Sequence, residues 1–249
     1  MNTRLRLYRN PLRLAVSASP WRSAPFLLSY VLMGTVLFAL VLTATATTAA
    51  LAITLAGLPL LVASSAFVRG CASAERWRLR LVLPGPLRGG YRPVTQPGIM
   101  SQIRTRWRDP ATWRDLAYLI GLWPLLLVLD VAVFSVWLTL LAGVTMPAWY
   151  WAPPQTLDNG QTAHGIQLGY FPNGPHGPGG WGLYVDTLPK ALLAAAGFLV
   201  AFLLFNYVLV LTARAHARIA SSMLRAPGDP LADAKEVLSR PGPLGPLYS

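Results

Sequence analysis

The chain of 249 residues is 54% hydrophobic and only 12% charged, with a mean hydropathy of +0.45. A soluble domain carries about 25% charged residues, so the composition excludes an ordinary water-soluble fold and points to solvation partly by lipid. The net charge of +12 would suit nucleic acid, but the basic residues fall in blocks between apolar runs, which argues for no nucleic-acid partner. Cys71 is the single cysteine, so neither a disulfide framework nor a cysteine-cluster metal site is expected.

Between Arg22 and Arg69 no residue is charged. As one helix this run would extend about 69 Å, far beyond a hydrocarbon core of about 30 Å, so it must fold back once. The turn is expected at "TATATT" (Thr43 to Thr48), where β-branched, hydroxylated residues weaken a helix. That gives span 1 over 24–43 and span 2 over 49–68, with Pro59 kinking span 2. A cleaved signal peptide ending at "ATA" (Ala44 to Ala46) is the rival reading; against it, the apolar run continues far past that point.

The segment 69–115 is densely basic, and its end, "RTRWRDPATWRDLAYL" (Arg104 to Leu119), turns abruptly apolar. Asp109 followed by Pro110 predicts a helix start, with Asp115 favoured in the early helix by its dipole. "IMSQIRTRW" (Ile99 to Trp107) predicts a short interfacial helix. Span 3 then covers 116–143, interrupted only by Asp130, and span 4 covers 188–212, with Asn206 inside it. Residues 144–187 form a loop rich in Gly, Pro and aromatics, with strands expected at "GIQLGYF" and "WGLYVD". The end, 226–249, reads as a disordered tail.

Loop charges set the expected topology. The tail 1–23 has five arginines, the 69–115 segment ten and the 213–249 segment five Lys or Arg, while 144–187 has none. The positive-inside rule therefore predicts a multi-pass inner-membrane protein with both termini cytoplasmic and 144–187 outside. "WRSAPFLLSY" and "WRDLAYLIGL" open the two hairpins alike, so the expected fold is all-α, four spans arranged as two parallel-repeat hairpins.

"DPATWRDLAYL", "PAWYW" (Pro147 to Trp151), "GLPLL" (Gly57 to Leu61) and "AFVRGCASAERWRLRLVLPGP" (Ala66 to Pro86) carry a resemblance. In these stretches the chain resembles the actinobacterial putative sensor domain family, found before the kinase core of histidine kinases and also alone. The resemblance covers roughly residues 25 to 225 and implies signal transduction in a two-component setting. Kinase members continue from the last span into a helix bearing a phosphoacceptor histidine. Here His216 stands in "ARAHARIASS", without the acidic-His-Asp-Gly context of such a site.

The candidate sites follow. Asp130 and Asn206 lie at comparable depth and could form an intramembrane polar pair, either helix glue or a proton- or ion-responsive site. Trp149, Tyr150, Trp151, Trp181 and Tyr184 bracket the outer loop as an aromatic belt or as the lining of a ligand lid. Arg76, Arg78, Arg80, Arg104, Arg106, Arg108, Trp113 and Arg114 read as anchors on an anionic inner leaflet or as a docking surface for a cytoplasmic partner. His164, His176, Asp158 and Asp186 lack ligand spacing, so no metal is expected, nor any cofactor. Small residues of span 4 (Ala191, Ala195, Gly197, Ala201) permit close packing within the bundle or across a homodimer. No nucleophile–base set or phosphate-cradling loop is apparent. The expected function is a non-catalytic sensor acting on a kinase or other membrane partner. The alternatives are an accessory subunit of a transporter or envelope complex, and a small proton carrier resting on Asp130 alone.

Overall fold

In a computed structural model, which describes residues 3–54, 57–87, 89–94, 97–156, 162–171 and 178–226, the helical part of the chain opens at Asn10. Its side chain accepts from the amides of Leu12 and Arg13, and Pro11 takes the first position of α1 (Pro11–Val16), where a missing N–H costs nothing. Ser17 ends α1 and caps α2 (Ala18–Leu51) through Ser19 N. The turn expected at Thr43 to Thr48 does not form there. Thr45 and Thr48 donate to the carbonyls of Val41 and Ala44 at 2.7 Å, so their hydroxyls are satisfied inside the helix and α2 runs on. The reversal comes after Leu51, and Gly57 opens α3 (Gly57–Arg78); a Cβ there would meet Leu51 O at 2.2 Å. Pro59 thus stands in the first turn of α3, where it is tolerated, and not at a mid-helix kink.

After a 3₁₀ turn (Leu79–Leu81) come α4 (Ile99–Trp107) and α5 (Pro110–Leu116), a π turn (Ala117–Gly121), and α6 (Trp123–Val144). Asp109 caps α5 as expected, its Oδ1 accepting from Ala111 N at 3.0 Å. The expected unbroken span over 116–143 is interrupted, because the chain passes through the π turn and restarts with Pro124 in the first turn of α6. Beyond a 3₁₀ turn (Met146–Ala148) lie two hairpins, β1 (Pro154–Thr156) with β2 (Thr162–His164), and β3 (Ile166–Tyr170) with β4 (Trp181–Val185), both antiparallel. The second pair matches the strands expected at "GIQLGYF" and "WGLYVD". The last helix, α7 (Leu188–Leu224), continues well past the expected end at Thr212. Four helices, Ala18–Leu51, Gly57–Leu81, Trp123–Val144 and Leu188–Leu224, are long and apolar enough to cross a membrane. The expected tail lies outside the described residues from 227 onward.

Side-chain contacts fix the sense of each helix. Trp137 on α6 donates to Asn206 on α7 at 3.1 Å, and Asp130 meets His216, so α6 and α7 are antiparallel. Trp21 packs edge-on against Trp137 at 5.6 Å, and Phe38 stacks on Trp123 at 3.9 Å, so α2 also opposes α6 and runs parallel to α7. A parallel repeat would have aligned α2 with α6. Here the turn after Leu51 and the β-hairpins occupy opposite ends of the bundle. Charge counting could not see this, since it reads loops and not the aromatic pairs that set helix direction.

The N-terminal tail is part of the bundle. Leu5 is buried, Arg4 N donates to Val82 O, and Arg214 grips Leu5 O from α7. Tyr207 donates to the carbonyls of Tyr8 and Arg9. The opposed packing makes a first prediction. In a Cys71→Ala background, Trp21→Cys with Trp137→Cys should be joined by a short bifunctional maleimide. The control pair Trp21→Cys with Leu116→Cys, neighbours in a parallel repeat, should not be joined.

Candidate functional site, a buried polar cluster at the helix crossing

Glu75 and Arg78 are one turn apart on α3, so they share a face. That face is turned inward. Both side chains are 1% exposed, and Arg78 grips the carboxylate through Nε (2.9 Å to Oε2) and Nη2 (2.6 Å to Oε1). A buried pair persists only if the remaining donors and acceptors are satisfied, and here they are. Arg78 Nη1 donates to Phe26 O on α2 at 2.7 Å, and the guanidinium lies over the rings of Phe26 and Tyr30 at 4.2 and 4.9 Å. Tyr118, on the π turn, donates to Glu75 Oε1 at 2.7 Å.

His216 joins this pair to Asp130. Its Nδ1 lies 2.7 Å from Asp130 Oδ2, and its Nε2 lies 3.2 Å from both Arg78 Nη2 and the Tyr118 hydroxyl. Arginine can only donate, so the hydrogen-bond geometry assigns Nε2 as acceptor and the ring proton to Nδ1, which donates to Asp130. Tyr30 and Phe26 hold the imidazole edge-on at 4.4 and 5.3 Å. Asp130 and His216 are fully buried, and Asp130 Oδ1 has no hydrogen-bond partner. The cluster thereby draws on α2, α3, the π turn, α6 and α7 together.

Two further ion pairs continue from it along α3. Arg76 donates to Asp115 at 3.1 Å, to the Tyr91 hydroxyl at 2.6 Å and to Leu224 O at 2.9 Å, a carbonyl left open at the end of α7. Tyr91 donates to Asp115 at 2.6 Å. Burial pushes the Tyr91 phenol up to about 12, and the hydrogen bond to Asp115 adds to the rise. Burial also raises the Asp115 carboxyl, against the opposing pull of Tyr91 and Arg76. Further along, Arg69 donates to Asp109 and Thr112, both at 3.1 Å, and Asp109 also accepts from Arg92 N.

Several expected site residues therefore stand elsewhere than the sequence suggested. Asp130 and Asn206 do not pair. Asn206 accepts from Trp137 and donates to Phe202 O, while Asp130 turns to His216. Arg76 and Arg78 are buried in ion pairs and cannot serve as a docking surface. Arg80, Arg104, Arg108 and Trp113 are exposed, and Arg106 and Arg114 are half-buried. At the hairpin end, Trp149 and Tyr150 pack on a small core of Met146, Val185, Ala191 and Ala194. Trp151 and Trp181 project outward, and Tyr184 is half-buried with its hydroxyl on His164 O. Of the residues weighed as metal ligands, His164 contacts Trp151 O and Asp186 pairs with Lys190, whereas Asp158 and His176 lie outside the described residues. Among the described residues no group of three or more His, Cys, Asp or Glu could hold a metal.

Glu75, Tyr118 and His216 were missed by sequence reasoning. The available signal was the buried stripe of α7 (Asn206, Leu209, Ala213, His216, Ala220), which keeps helical spacing past Thr212 and carries His216 on the inner face.

Four long apolar helices knit by a buried charge cluster fit a membrane protein. The chain belongs to the family described as "Putative sensor", whose model matches residues 26–224. The match runs from Phe26, whose carbonyl takes Arg78, to Leu224, whose carbonyl takes Arg76. No curated protein and no solved structure matches the chain. Membership supports a sensing role.

Proposed function

We propose that the protein is a non-catalytic, multi-pass membrane sensor that passes an envelope or membrane stimulus to a separate partner, such as a histidine kinase. One observation carries the reading: α2, α3, α6, α7 and the π turn all feed one buried set of hydrogen-bonded charges. A shift of any helix must break or re-pair charges in a medium where an unpaired charge is costly, so such a network favours a few discrete arrangements. The chain of ion pairs along α3, through Asp115 and Asp109, then links those arrangements to α5 and to the exposed arginines of α4. In this reading the β-hairpin end, with no basic residue over 144–187, faces outward. The C-terminal end of α7 and the turn after Leu51 are then cytoplasmic, because α2 runs parallel to α7 away from the hairpin end. The exposed Arg80, Arg104, Arg108 and Trp113 would meet the partner.

The test uses intact cells. A photoreactive residue at Arg104 or Arg108 should capture an identifiable signalling protein, and Asp130→Leu should change the yield of that adduct. No adduct with any signalling protein, together with an unaltered transcript profile on deletion of the gene, would sink the proposal.

A further inference from the structure

A groove of about 560 Å³ opens between the far half of α2, the start of α3, α4, α5 and the π turn. Its walls include Leu61, Trp107, Trp113, Leu116, Ile120 and Gly121. The polar groups facing it are already engaged. Thr45 and Thr48 donate to α2 carbonyls, Trp107 Nε1 donates to Leu61 O at 2.9 Å, and Trp113 Nε1 donates to Trp107 O at 2.8 Å. Such a wall offers nothing to a polar ligand and suits hydrocarbon.

The charge beside the groove is of one sign. Arg69, Arg76 and Arg78 take the carboxylates of Asp109, Asp115 and Glu75, whereas Arg104, Arg106, Arg108 and Arg114 form no ion pair among the described residues. Arg106 reaches Val62 O at 3.4 Å, next to the groove residue Leu61, and its Nε has no hydrogen-bond partner among the described residues. Arg114 Nε likewise has none. Arg114 lies on α5 between the groove residues Trp113 and Leu116 and three residues before Ala117, so it stands at the edge of the groove. A hydrocarbon wall that ends in guanidinium groups outside any ion pair matches a ligand with an apolar chain and an anionic head.

We infer that this groove binds one anionic phospholipid, with an acyl chain along Leu61, Leu116, Ile120 and Gly121 and the phosphate on Arg106 and Arg114. In a zwitterionic lipid such as phosphatidylcholine the headgroup's own cation offsets the phosphate, and free phosphate would leave the apolar wall empty. The π turn ties the site to the buried cluster, because Ala117, Ile120 and Gly121 face the groove while Tyr118 of the same turn holds Glu75. Lipid in the groove therefore bears on the turn that positions Tyr118. This link to signalling rests on the sensor reading, whereas the binding does not.

Native mass spectrometry of the full chain in detergent tests the site with phosphatidylglycerol and phosphatidylcholine as probes. The wild type should hold a single phosphatidylglycerol, preferred over phosphatidylcholine by about tenfold or more. Arg106→Gln with Arg114→Gln should abolish the preference. Gly121→Leu should lose the lipid while keeping a wild-type melting temperature, since a Cβ there meets nothing within 4 Å. Equal binding of the two lipids, or undiminished phosphatidylglycerol on Gly121→Leu, would overturn the inference. So would inorganic phosphate displacing the lipid fully, because that would mark an ionic patch with no chain site. Loss of lipid binding with normal partner capture would break only the link to signalling.

Discussion

Replacing Arg78 with leucine should cost the fold about 3–5 kcal/mol, read as a lowered denaturant midpoint in micelles. The substitution leaves Glu75, which is 1% exposed, with only the Tyr118 hydroxyl as partner, and it strips donors from Phe26 O and His216 Nε2. A buried carboxylate that loses its ion-pair partner is costly. Glu75→Gln should be milder, because the amide oxygen still accepts from Arg78 and Tyr118. Glu75→Leu combined with Arg78→Leu should regain much of the loss, since removing both charges removes the desolvation cost with them. A double variant as unstable as Arg78→Leu would mean that Arg78 acts through packing on Phe26 and Tyr30 and not through its charge.

The apolar frame was legible in the sequence because it depends on bulk properties. Charge-free runs pointed to four membrane-crossing helices, Asp109-Pro110 located the start of α5, and the strands expected at "GIQLGYF" and "WGLYVD" match β3 and β4. The errors fall where a local interaction outweighs an average tendency. Thr45 and Thr48 remain helical by bonding backwards, so the turn moved past Leu51. Pro59 lies early in α3 because Gly57 sets the start of that helix. The candidate site was only half visible. Asp130 stood out as a carboxylate in a greasy run, but its partner was sought at equal depth within the expected spans, which ended at Thr212. Helix α7 runs on to Leu224, and that extension brings His216 to Asp130. Arg76 and Arg78 looked like surface anchors because nothing local reveals that Asp115 and Glu75 face inward with them. The direction of α2 rests on Trp21 with Trp137 and Phe38 with Trp123, contacts between residues far apart in sequence.

The second large effect belongs to Asp130. Asp130→Leu removes the acceptor for His216 Nδ1–H inside a fully buried site and should cost about 1–3 kcal/mol. Asp130→Asn retains a carbonyl oxygen for that hydrogen bond and should fall well below the leucine value. The contrast separates loss of a hydrogen bond from loss of a charge.

The central claim is that these side chains act as one unit centred on His216, and a double-mutant cycle tests it. Tyr118 and Asp130 approach opposite nitrogens of that imidazole, at 3.2 and 2.7 Å. Tyr118→Phe and Asp130→Asn should therefore be non-additive in unfolding free energy by about 0.5–3 kcal/mol. The coupling should vanish when His216 is replaced by Phe. Additivity within about 0.5 kcal/mol, or coupling that survives His216→Phe, would contradict the account.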